Sequence, residues 1–252
     1  MPSFPDHFSR LASGYASYRP LYPDALFAWL ATLPARHLLA WDCGAGSGQA
    51  TLGLVPYFDR VLATDASAAQ LAEAPADSRI EYRVARAEDG GPAAGTADLV
   101  TVAQALHWID LGAFYPVVRD ALAPGGVLAV WTYGVITLDD PALDRLLRHF
   151  YREVVGPYWP PERKHVESGY RSLPFPFEEL PAPAFDMTAA WTLPELLGYV
   201  RTWSATARCR DATGHDPVLD LTSELSKGWG GDERIREIRW PLSLRIGKDS
   251  AG

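Results

Sequence analysis

Three glycines behind an acidic residue form the part of this chain whose spacing best suits the binding of a nucleotide-like cofactor. Asp42 follows an apolar run, and Gly44, Gly46 and Gly48 then alternate with small residues. Glycine adopts positive φ without strain and lets the backbone approach a ligand closely. Free N–H groups at the following helix start favour a carboxylate or phosphate. The pattern predicts a strand, a tight turn and a helix around a cofactor; an ordinary turn without a ligand is the alternative.

The glycine spacing also distinguishes between classes of cofactor. A dinucleotide fingerprint, G-x-G-x-x-G, would place its third glycine at position 49, which is Gln49. A second acid, Asp65, ends the next apolar run roughly 20 residues after the first glycine, where a carboxylate can accept hydrogen bonds from both ribose hydroxyls. Asp65 is therefore the predicted ribose ligand. The alternative role is a helix N-cap, which the sequence of Asp65, Ala66 and Ser67 also suits.

The acid-x-G-x-G-x-G pattern that begins at Asp42 resembles motif I of the class I S-adenosylmethionine-dependent methyltransferases. Gln104, His107 and Trp108 follow a later apolar run and resemble the Q-A-x-H-W segment of trans-aconitate methyltransferase relatives and plant embryo-abundant proteins. Further matches to this subfamily lie in residues 15–20, 167–177 and 198–204. The resemblance spans nearly the whole chain. It implies S-adenosylmethionine as the cofactor and methyl transfer as the reaction.

The resemblance also implies a set of cofactor contacts. The glycine loop would pass under the methionine end of the cofactor. Arg19 would clamp the carboxylate of the cofactor with a bidentate guanidinium, although packing of this segment on the surface is the alternative. Glu88 would bind the amine of the adenine, although a solvated loop acid is the alternative. The predicted cofactor-binding residues are Arg19, Asp42, Gly44, Ala45, Gly46, Gly48, Asp65, Ala66, Ala87, Glu88, Ala103, Gln104 and His107.

Two catalytic roles stay open, because an in-line displacement from a sulfonium needs little acid–base machinery. A carboxylate acceptor is already ionised and needs only a cation such as Arg171 to position it, whereas a hydroxyl acceptor needs a proton acceptor such as His107. His107 and Arg171 are the candidate catalytic residues; structural packing of His107 against Trp108 is the alternative. The candidate substrate contacts are Tyr18, Trp108, Tyr133, Tyr170, Arg171 and Trp203, although such aromatics are more often core residues.

These residues require an α/β fold that brings them to one edge of a sheet. Five buried parallel strands are predicted from apolar runs at residues 38–41, 61–64, 80–84, 99–103 and 127–131. Helices are predicted over residues 22–34, 66–74, 111–122, 138–155, 194–207 and 217–229. Strands at residues 185–191 and 235–246 complete a Rossmann-like, seven-stranded, mostly parallel sheet, in which Pro241 makes the last strand an edge or bulged strand.

The predicted elements form a single methyltransferase domain over residues 1–252. Residues 1–34 form an N-terminal lid and helix, and residues 35–132 form the cofactor-binding core. Residues 133–181 are inserted after the fifth strand as a helical cap over the substrate site, and residues 182–252 complete the sheet. Ligands of open α/β sheets bind beyond the carboxyl ends of the strands at the switch point, here between the first and fourth strands.

Composition excludes several classes of partner. Thirty-one acidic and 23 basic residues give a net charge of −8, which repels nucleic acid and anionic membranes. The only cysteines, Cys43 and Cys209, have no metal-type spacing, so neither a disulfide framework nor a metal site is predicted and a cytoplasmic location fits. No apolar stretch approaches the roughly 20 residues of a membrane span. We expect a small-molecule methyl acceptor, with the oligomeric state left open.

Two other functions remain as alternatives to O-methylation of a small carboxylate or hydroxyl. A nicotinamide-dependent oxidoreductase is disfavoured by Gln49 and by the lack of a Tyr-x-x-x-Lys motif. A non-catalytic S-adenosylmethionine-binding protein of the same fold stays possible at this point, because a fold alone does not prove activity.

Overall fold

The computed structural model describes residues 20–249, and its central feature is a sheet of nine strands in that range. The strand order is β3-β2-β1-β4-β5-β9-β6, and β7 and β8 also pair with β9. The strands are β1 Leu39–Cys43, β2 Arg60–Asp65, β3 Ile80–Val84, β4 Ala97–Ala103, β5 Leu122–Tyr133, β6 Thr137–Leu138, β7 Glu178–Leu180, β8 Asp186–Trp191 and β9 Arg236–Lys248. The Rossmann-like α/β prediction is confirmed, with nine strands rather than seven.

Strands β1 to β5 are parallel to one another and form the regular part of the sheet. Their apolar runs match the five predicted strands because β1, β4 and β5 are buried over most of their length. The chain passes from β1 outward to β2 and β3, then returns to β4 on the other side of β1. A crevice therefore opens at the carboxyl ends of β1 and β4, where the sequence places it.

The helices cover both faces of this sheet. Those that the structure describes are α1 Asp24–Leu30, α2 Gln49–Leu54, α3 Ala68–Ala72, α4 Leu111–Ala121, α5 Pro141–His149, α6 Arg163–Glu167, α7 Leu193–Arg201, α8 Ser204–Thr213 and α9 Pro217–Trp229. Asp110 and Asp140 begin α4 and α5 by accepting hydrogen bonds from two backbone N–H groups each. Between residues 20 and 249, none of the helices has the length and apolarity that crossing a bilayer requires.

Strand β9 is longer and more central than the sequence predicts. Its second half pairs antiparallel with β5 and β7, whereas its first half pairs with β6 and β8. Pro241 lies where the pairing changes, opposite Asp186, and its carbonyl accepts a hydrogen bond from the N–H of Gly134 at 3.1 Å. The missing N–H of proline falls at this changeover. Because β9 pairs with four other strands, the prediction of an edge strand is wrong, and the alternative of a bulged strand stays a prediction. The short strands β6 and β7 account for the larger strand count.

Two predicted helices are interrupted in the structure. The predicted helix over residues 138–155 is α5, which begins after Asp140 and widens into a π-helical turn at Phe150–Val154. The predicted helix over residues 194–207 is two helices, α7 and α8, because Trp203 adopts an extended backbone and packs its buried side chain against Tyr151 and Tyr199. Hydrophobic periodicity continues across both breaks and therefore does not reveal them.

Asp42 is a fully buried acid near the end of β1. One carboxylate oxygen accepts a hydrogen bond from the Thr51 hydroxyl at 2.6 Å, and the other accepts one from the Thr101 hydroxyl at 2.9 Å. Burial raises the pKa of Asp42 from 3.8 to about 6, although these two hydrogen bonds oppose the shift. Asp42 thus joins β1 to α2 and β4 beneath the glycine loop.

We expect Asp42→Asn to remove a pH dependence from the stability of the protein. The pKa of folded Asp42 is about 6 and its ordinary value is 3.8. The folded state therefore binds a proton that the unfolded state has lost within this window, and the contribution of Asp42 to stability falls as the pH rises through it. Asparagine cannot ionise and can still hydrogen-bond both threonines. The free energy of unfolding of the variant, relative to wild type, should rise between about pH 4 and about pH 7.

Urea unfolding across this pH range measures the effect, and Asp140→Asn is the matched control. Hydrogen bonds from the N–H groups of Ala142 and Leu143 lower the pKa of Asp140. Its contribution to stability is present above the unfolded pKa and is lost in acid, so its substitution should cost more at neutral pH than in acid. An Asp42→Asn effect that is equal at all pH values would contradict the prediction.

Candidate active site

A cavity of about 1130 Å³ opens at the carboxyl ends of the parallel strands. Gly44 follows β1, Asp65 ends β2, Ala85 follows β3 and Ala103 ends β4, and all four residues line it. Sites for one small ligand commonly measure about 300–1,000 Å³. The cavity is therefore large enough for a cofactor and a second, smaller molecule side by side.

The glycine loop forms one wall of this cavity, between β1 and α2. Gly44, Gly46 and Gly48 have φ values of 71°, 57° and 82°, which other residues rarely adopt. A Cβ atom on Gly46 would meet no atom closer than the side-chain oxygen of Gln70 at 3.7 Å, so the space over Gly46 is open to a ligand. Gly48 is the N-cap of α2 and does not line the cavity. Strand, turn and helix follow one another as the sequence predicts.

Asp65 is fixed at the edge of the cavity by two backbone donors. One carboxylate oxygen accepts a hydrogen bond from the N–H of Gly46 at 2.8 Å, and the other accepts one from the N–H of Ser67 at 2.8 Å. Ser67, and not Asp65, is the N-cap of α3, since its hydroxyl accepts the N–H of Gln70. Each oxygen of Asp65 keeps a further lone pair, so the carboxylate can accept two more hydrogen bonds from a ligand.

Glu88 lies farther along the same wall, after β3. Its carboxylate accepts hydrogen bonds from the N–H of Asp110 at 3.1 Å and from the guanidinium of Arg86 at 3.2 Å. Burial acts to raise the pKa of Glu88, but these hydrogen bonds outweigh it and the pKa is lowered. Glu88 is thus held as a carboxylate rather than being a free loop acid. Ala66 and Ala87 line the cavity beside it.

Gln104 and His107 lie just after β4 and line the cavity. Gln104 has a φ of 56°, and its side-chain oxygen accepts hydrogen bonds from the Thr132 hydroxyl and from the N–H of Tyr133 at 3.0 Å. Its amide nitrogen has no partner among residues 20–249 and is available to a ligand. His107 lies in the 3-10 turn Leu106–Trp108.

The imidazole of His107 is held in a neutral state. Its Nδ1 lies 3.0 Å from the hydroxyl of Tyr170, and its ring lies 4.8 Å from that of Trp108. Protein atoms surround the ring on most sides although one part faces the cavity. This burial, with smaller contributions from the charges of Arg163 and His165, lowers the pKa of His107 to about 3. At neutral pH the ring carries no charge.

The structure corrects the predictions for Tyr170 and Arg171. Tyr170 has a φ of 62° and no exposed surface, and it reaches the site only through its hydrogen bond to His107. The side chain of Arg171 is 70% exposed, lies 3.7 Å from Glu179 and does not line the cavity. Positive φ at Gly169 and Tyr170 turns the chain so that one side chain points inward and the next outward. Arg171 therefore cannot position an acceptor in this cavity.

The wall of the cavity opposite the glycine loop is aromatic and contains residues that were not predicted from the sequence. Tyr151, from the π-helical turn, Trp159 and Tyr199 join Tyr133 and Trp203 there. Arg163 of α6 lies among these rings. The sequence carries no local signal for these residues, since the π-helical turn and the break between α7 and α8 bring them together. Helices α7 and α8 thus contribute to the wall together with residues 133–181, the segment that was predicted to form the cap.

Most of the predicted residues meet at this cavity. Those that line it are Gly44, Ala45, Gly46, Asp65, Ala66, Ala87, Glu88, Ala103, Gln104, His107, Trp108, Tyr133 and Trp203. Those that do not are Asp42, Gly48, Tyr170 and Arg171, and the predicted residues Tyr18 and Arg19 lie outside the described residues. Asp42 supports the loop from below instead of touching a ligand. In the described part of the chain, no three His, Cys, Asp or Glu side chains are grouped to hold a metal ion.

Comparison with known proteins shows that this chain is similar to methyltransferases. A family model described as a methyltransferase domain matches residues 41–130. A candidate methyltransferase of Dictyostelium discoideum is 31% identical over 251 residues, which cover 97% of this chain and 95% of that protein. The solved structure of a candidate type II methyltransferase from Anaeromyxobacter dehalogenans is 44% identical, with a TM-score of 0.88, over 92% of this chain and 98% of that one.

A more distant structure shares the fold alone. The YcgJ protein of Bacillus subtilis is 16% identical and has a TM-score of 0.52 over 90% of this chain and 99% of that one. The similarities to the Dictyostelium and Anaeromyxobacter proteins, by contrast, extend over nearly the whole chain. With the glycine loop and Asp65 at the mouth of the crevice, they show that this chain belongs to the class I S-adenosylmethionine-dependent methyltransferases, enzymes whose cofactor is S-adenosylmethionine.

Proposed function

We propose that this enzyme methylates an oxygen of a small molecule and that the preferred acceptor is a carboxylate. The observation that carries the proposal is the buried imidazole of His107, which contacts the Tyr170 hydroxyl and the Trp108 ring and whose pKa is lowered by this burial. A group that resists protonation so strongly is a weak general base, and a hydroxyl acceptor would need one. A carboxylate is ionised at neutral pH and needs none.

The fit of the cofactor rests on the loop and the two acids beside it. Open space over Gly46 suits the methionine end, the spare lone pairs of Asp65 suit the ribose hydroxyls, and Glu88 suits the adenine amine. Ala45, Ala66, Ala87, Ala103 and Gln104 would complete the contacts. When bound, S-adenosylmethionine supplies a methyl group on a sulfonium sulfur, which becomes a neutral thioether when the acceptor oxygen takes the methyl group.

The aromatic wall supports an acceptor with an apolar body. Trp108, Tyr133 and Trp203 would contact the acceptor, exclude water from it and restrict its orientation, which is most of what this displacement requires. Aromatic ring faces also attract cations such as a sulfonium. Rings that are already packed against one another lose little side-chain entropy when a ligand binds.

The segments of the chain would then divide the work. Residues 35–132 would hold the cofactor, and residues 133–181 would cover the acceptor together with α7 and α8 of the 182–252 segment. Two free, buried thiols, Cys43 and Cys209, agree with a cytoplasmic enzyme. The net charge of −8 favours a small acceptor over nucleic acid.

A hydroxyl acceptor is the second candidate, and the contact between His107 and Tyr170 favours it. If the Nδ1–H of His107 donates to the Tyr170 hydroxyl at 3.0 Å, the other ring nitrogen has a lone pair and can accept the proton of an acceptor hydroxyl.

The chemistry of the product separates these two candidates. Purified enzyme with methyl-labelled S-adenosylmethionine and a panel of small acids and alcohols should give a methyl ester, which mild alkali hydrolyses to labelled methanol. An ether survives that treatment. We expect kcat to stay constant from about pH 6 to about pH 9, because neither an acceptor carboxylate nor His107 titrates there. An alkali-stable product would contradict the carboxylate assignment.

Gly46→Val should abolish cofactor binding without unfolding the protein. The valine side chain would occupy the open space over the loop, and the φ of 57° is also strained for a β-branched residue. Gly95→Val is the matched control, because Gly95 has a φ of 68°, a Cβ added to it would meet no atom within 4 Å, and it takes no part in the cavity.

Titration calorimetry with S-adenosylhomocysteine measures the difference between the two glycine variants. We expect both variants to lose similar stability and only the Gly46 variant to lose affinity, by about 100-fold or more, since an occupied site excludes the ligand. NAD should not bind to the wild-type protein. Equal affinities of the two variants would contradict the placement of the cofactor over Gly46.

Asp65→Asn should weaken cofactor binding by about 10-fold to 100-fold, because an amide nitrogen cannot accept the ribose hydrogen bond that a carboxylate oxygen accepts. Asp140→Asn is the control for the loss of a carboxylate that accepts two backbone N–H groups, and Asp140 lies outside the cavity. The same calorimetric titration measures both variants. Full affinity in the Asp65 variant would refute the ribose assignment.

A further inference from the structure

Arg163 is held within the aromatic wall by a hydrogen-bonded chain of three residues. Its Nε–H donates to the Tyr151 hydroxyl at 2.7 Å, and that hydroxyl lies 2.6 Å from a carboxylate oxygen of Glu167. A guanidinium can only donate and a carboxylate can only accept, so Tyr151 accepts from Arg163 and donates to Glu167. The donor and the acceptor of both hydrogen bonds among these three residues are therefore known.

Ring contacts fix the guanidinium as well. Its central carbon lies 4.5 Å from the centre of the Trp159 ring and 5.5 Å from that of the Tyr151 ring. Trp159 in turn packs against Tyr151 and Trp203, with ring centres 5.2 Å and 5.8 Å away. A guanidinium that is oriented before a ligand arrives loses less entropy on binding.

The charge of Arg163 is left without a direct counterion among residues 20–249. Arg171, Arg236 and Arg245 each form an ion pair with an acid, whereas Arg163 reaches Glu167 only through the phenol of Tyr151. Its two terminal nitrogens make no hydrogen bond within the described part of the chain. An oriented, unpaired guanidinium on the wall of a cavity is a binding group for an anion, and its fork matches a carboxylate.

We propose that Arg163 binds the carboxylate of the methyl acceptor and that Tyr151 and Glu167 are positioning residues that orient it. This inference rests on the proposed function, because it gives the acceptor oxygen its anchor. The acceptor class is a carboxylic acid with a planar apolar body, which would pack against the cavity-facing sides of the Trp159 and Trp203 rings. One oxygen would bind Arg163 while the other takes the methyl group, and the neutral ester would then bind Arg163 less tightly than the acid.

A matched pair of probes tests this selectivity. Calorimetry on enzyme saturated with S-adenosylhomocysteine compares trans-cinnamate with trans-cinnamyl alcohol, which differ only in the carboxylate. We expect wild type to prefer the acid by about 10-fold or more, and Arg163→Gln to abolish the preference. Tyr151→Phe and Glu167→Gln should reduce the preference by about 3-fold to 10-fold, and Arg163→Lys should restore part of it relative to Arg163→Gln.

The controls remove the same groups just outside the cavity. Arg152→Gln deletes a positive charge next to Tyr151, and Tyr158→Phe deletes a phenol nearby; neither residue lines the cavity. Both control variants should keep the wild-type preference. The affinity for S-adenosylhomocysteine should stay unchanged in all variants, which separates a loss of selectivity from a loss of structure.

The inference is overturned if wild type does not prefer the acid, or if the preference survives in Arg163→Gln. If Arg163→Gln does not fold, Arg163→Lys and Tyr151→Phe are measured in its place. A preference for the acid that is unchanged in both of these variants overturns the inference. An acid preference that depends on Arg163, without methyl transfer to any oxygen, would refute the proposed function alone. Formation of the methyl ester at an unchanged rate in Arg163→Gln would refute only the inference.

Discussion

The buried carboxylate of Asp42 is the interaction on which the rest of the site depends. It accepts hydrogen bonds from a threonine of α2 and a threonine of β4, so it joins the three elements that meet at the switch point of the sheet. Burial without counterions is costly for a carboxylate, and its raised pKa records that cost. The hydrogen bonds of Asp42 fix the strand and helix on either side of the glycine loop. The N–H of Gly46 can therefore donate to Asp65 while Gly46 also lines the cavity.

The glycine loop and the strand ends, which form the cofactor side of the cavity, could be predicted from the sequence because local rules decide their structure. Continuous apolar runs predict buried parallel strands, and alternating glycines predict the turn that leaves β1. Tyr133 and Trp203 of the aromatic wall were predicted from the sequence as substrate contacts, but Tyr151 was not, since a π-helical turn places it there. Arg171 shows the limit most directly: the positive φ of Tyr170 sends the selected arginine to the surface, while Arg163 points inward. Hydrophobic periodicity does not contain such backbone detail.

This difference between the cofactor side of the cavity and the aromatic wall follows from the ligand that each part has to recognise. All members of a cofactor-dependent family bind the same cofactor, so strand ends and a glycine loop with a fixed geometry suffice. An acceptor varies in shape and charge, and irregular segments on a rigid scaffold are where such variation is tolerated. The aromatic wall built from α6, α7, α8 and the π-helical turn has that character. Selectivity would then depend on few side chains, chiefly Arg163 and its hydrogen-bonded partners.

The charge of Arg163 affects the basicity of His107, and both residues line the part of the cavity that we assign to the acceptor. The charge of Arg163 is one of the causes that keep the pKa of His107 low, after desolvation itself. An acceptor carboxylate at Arg163 would offset that charge, so the same binding event that anchors the acid would make the imidazole easier to protonate. With an alcohol in the cavity the charge would persist and His107 would stay a weak base. In the proposed assignment, the electrostatics of the wall would therefore favour an acid in two ways, by attracting it and by leaving a competing alcohol without a strong proton acceptor.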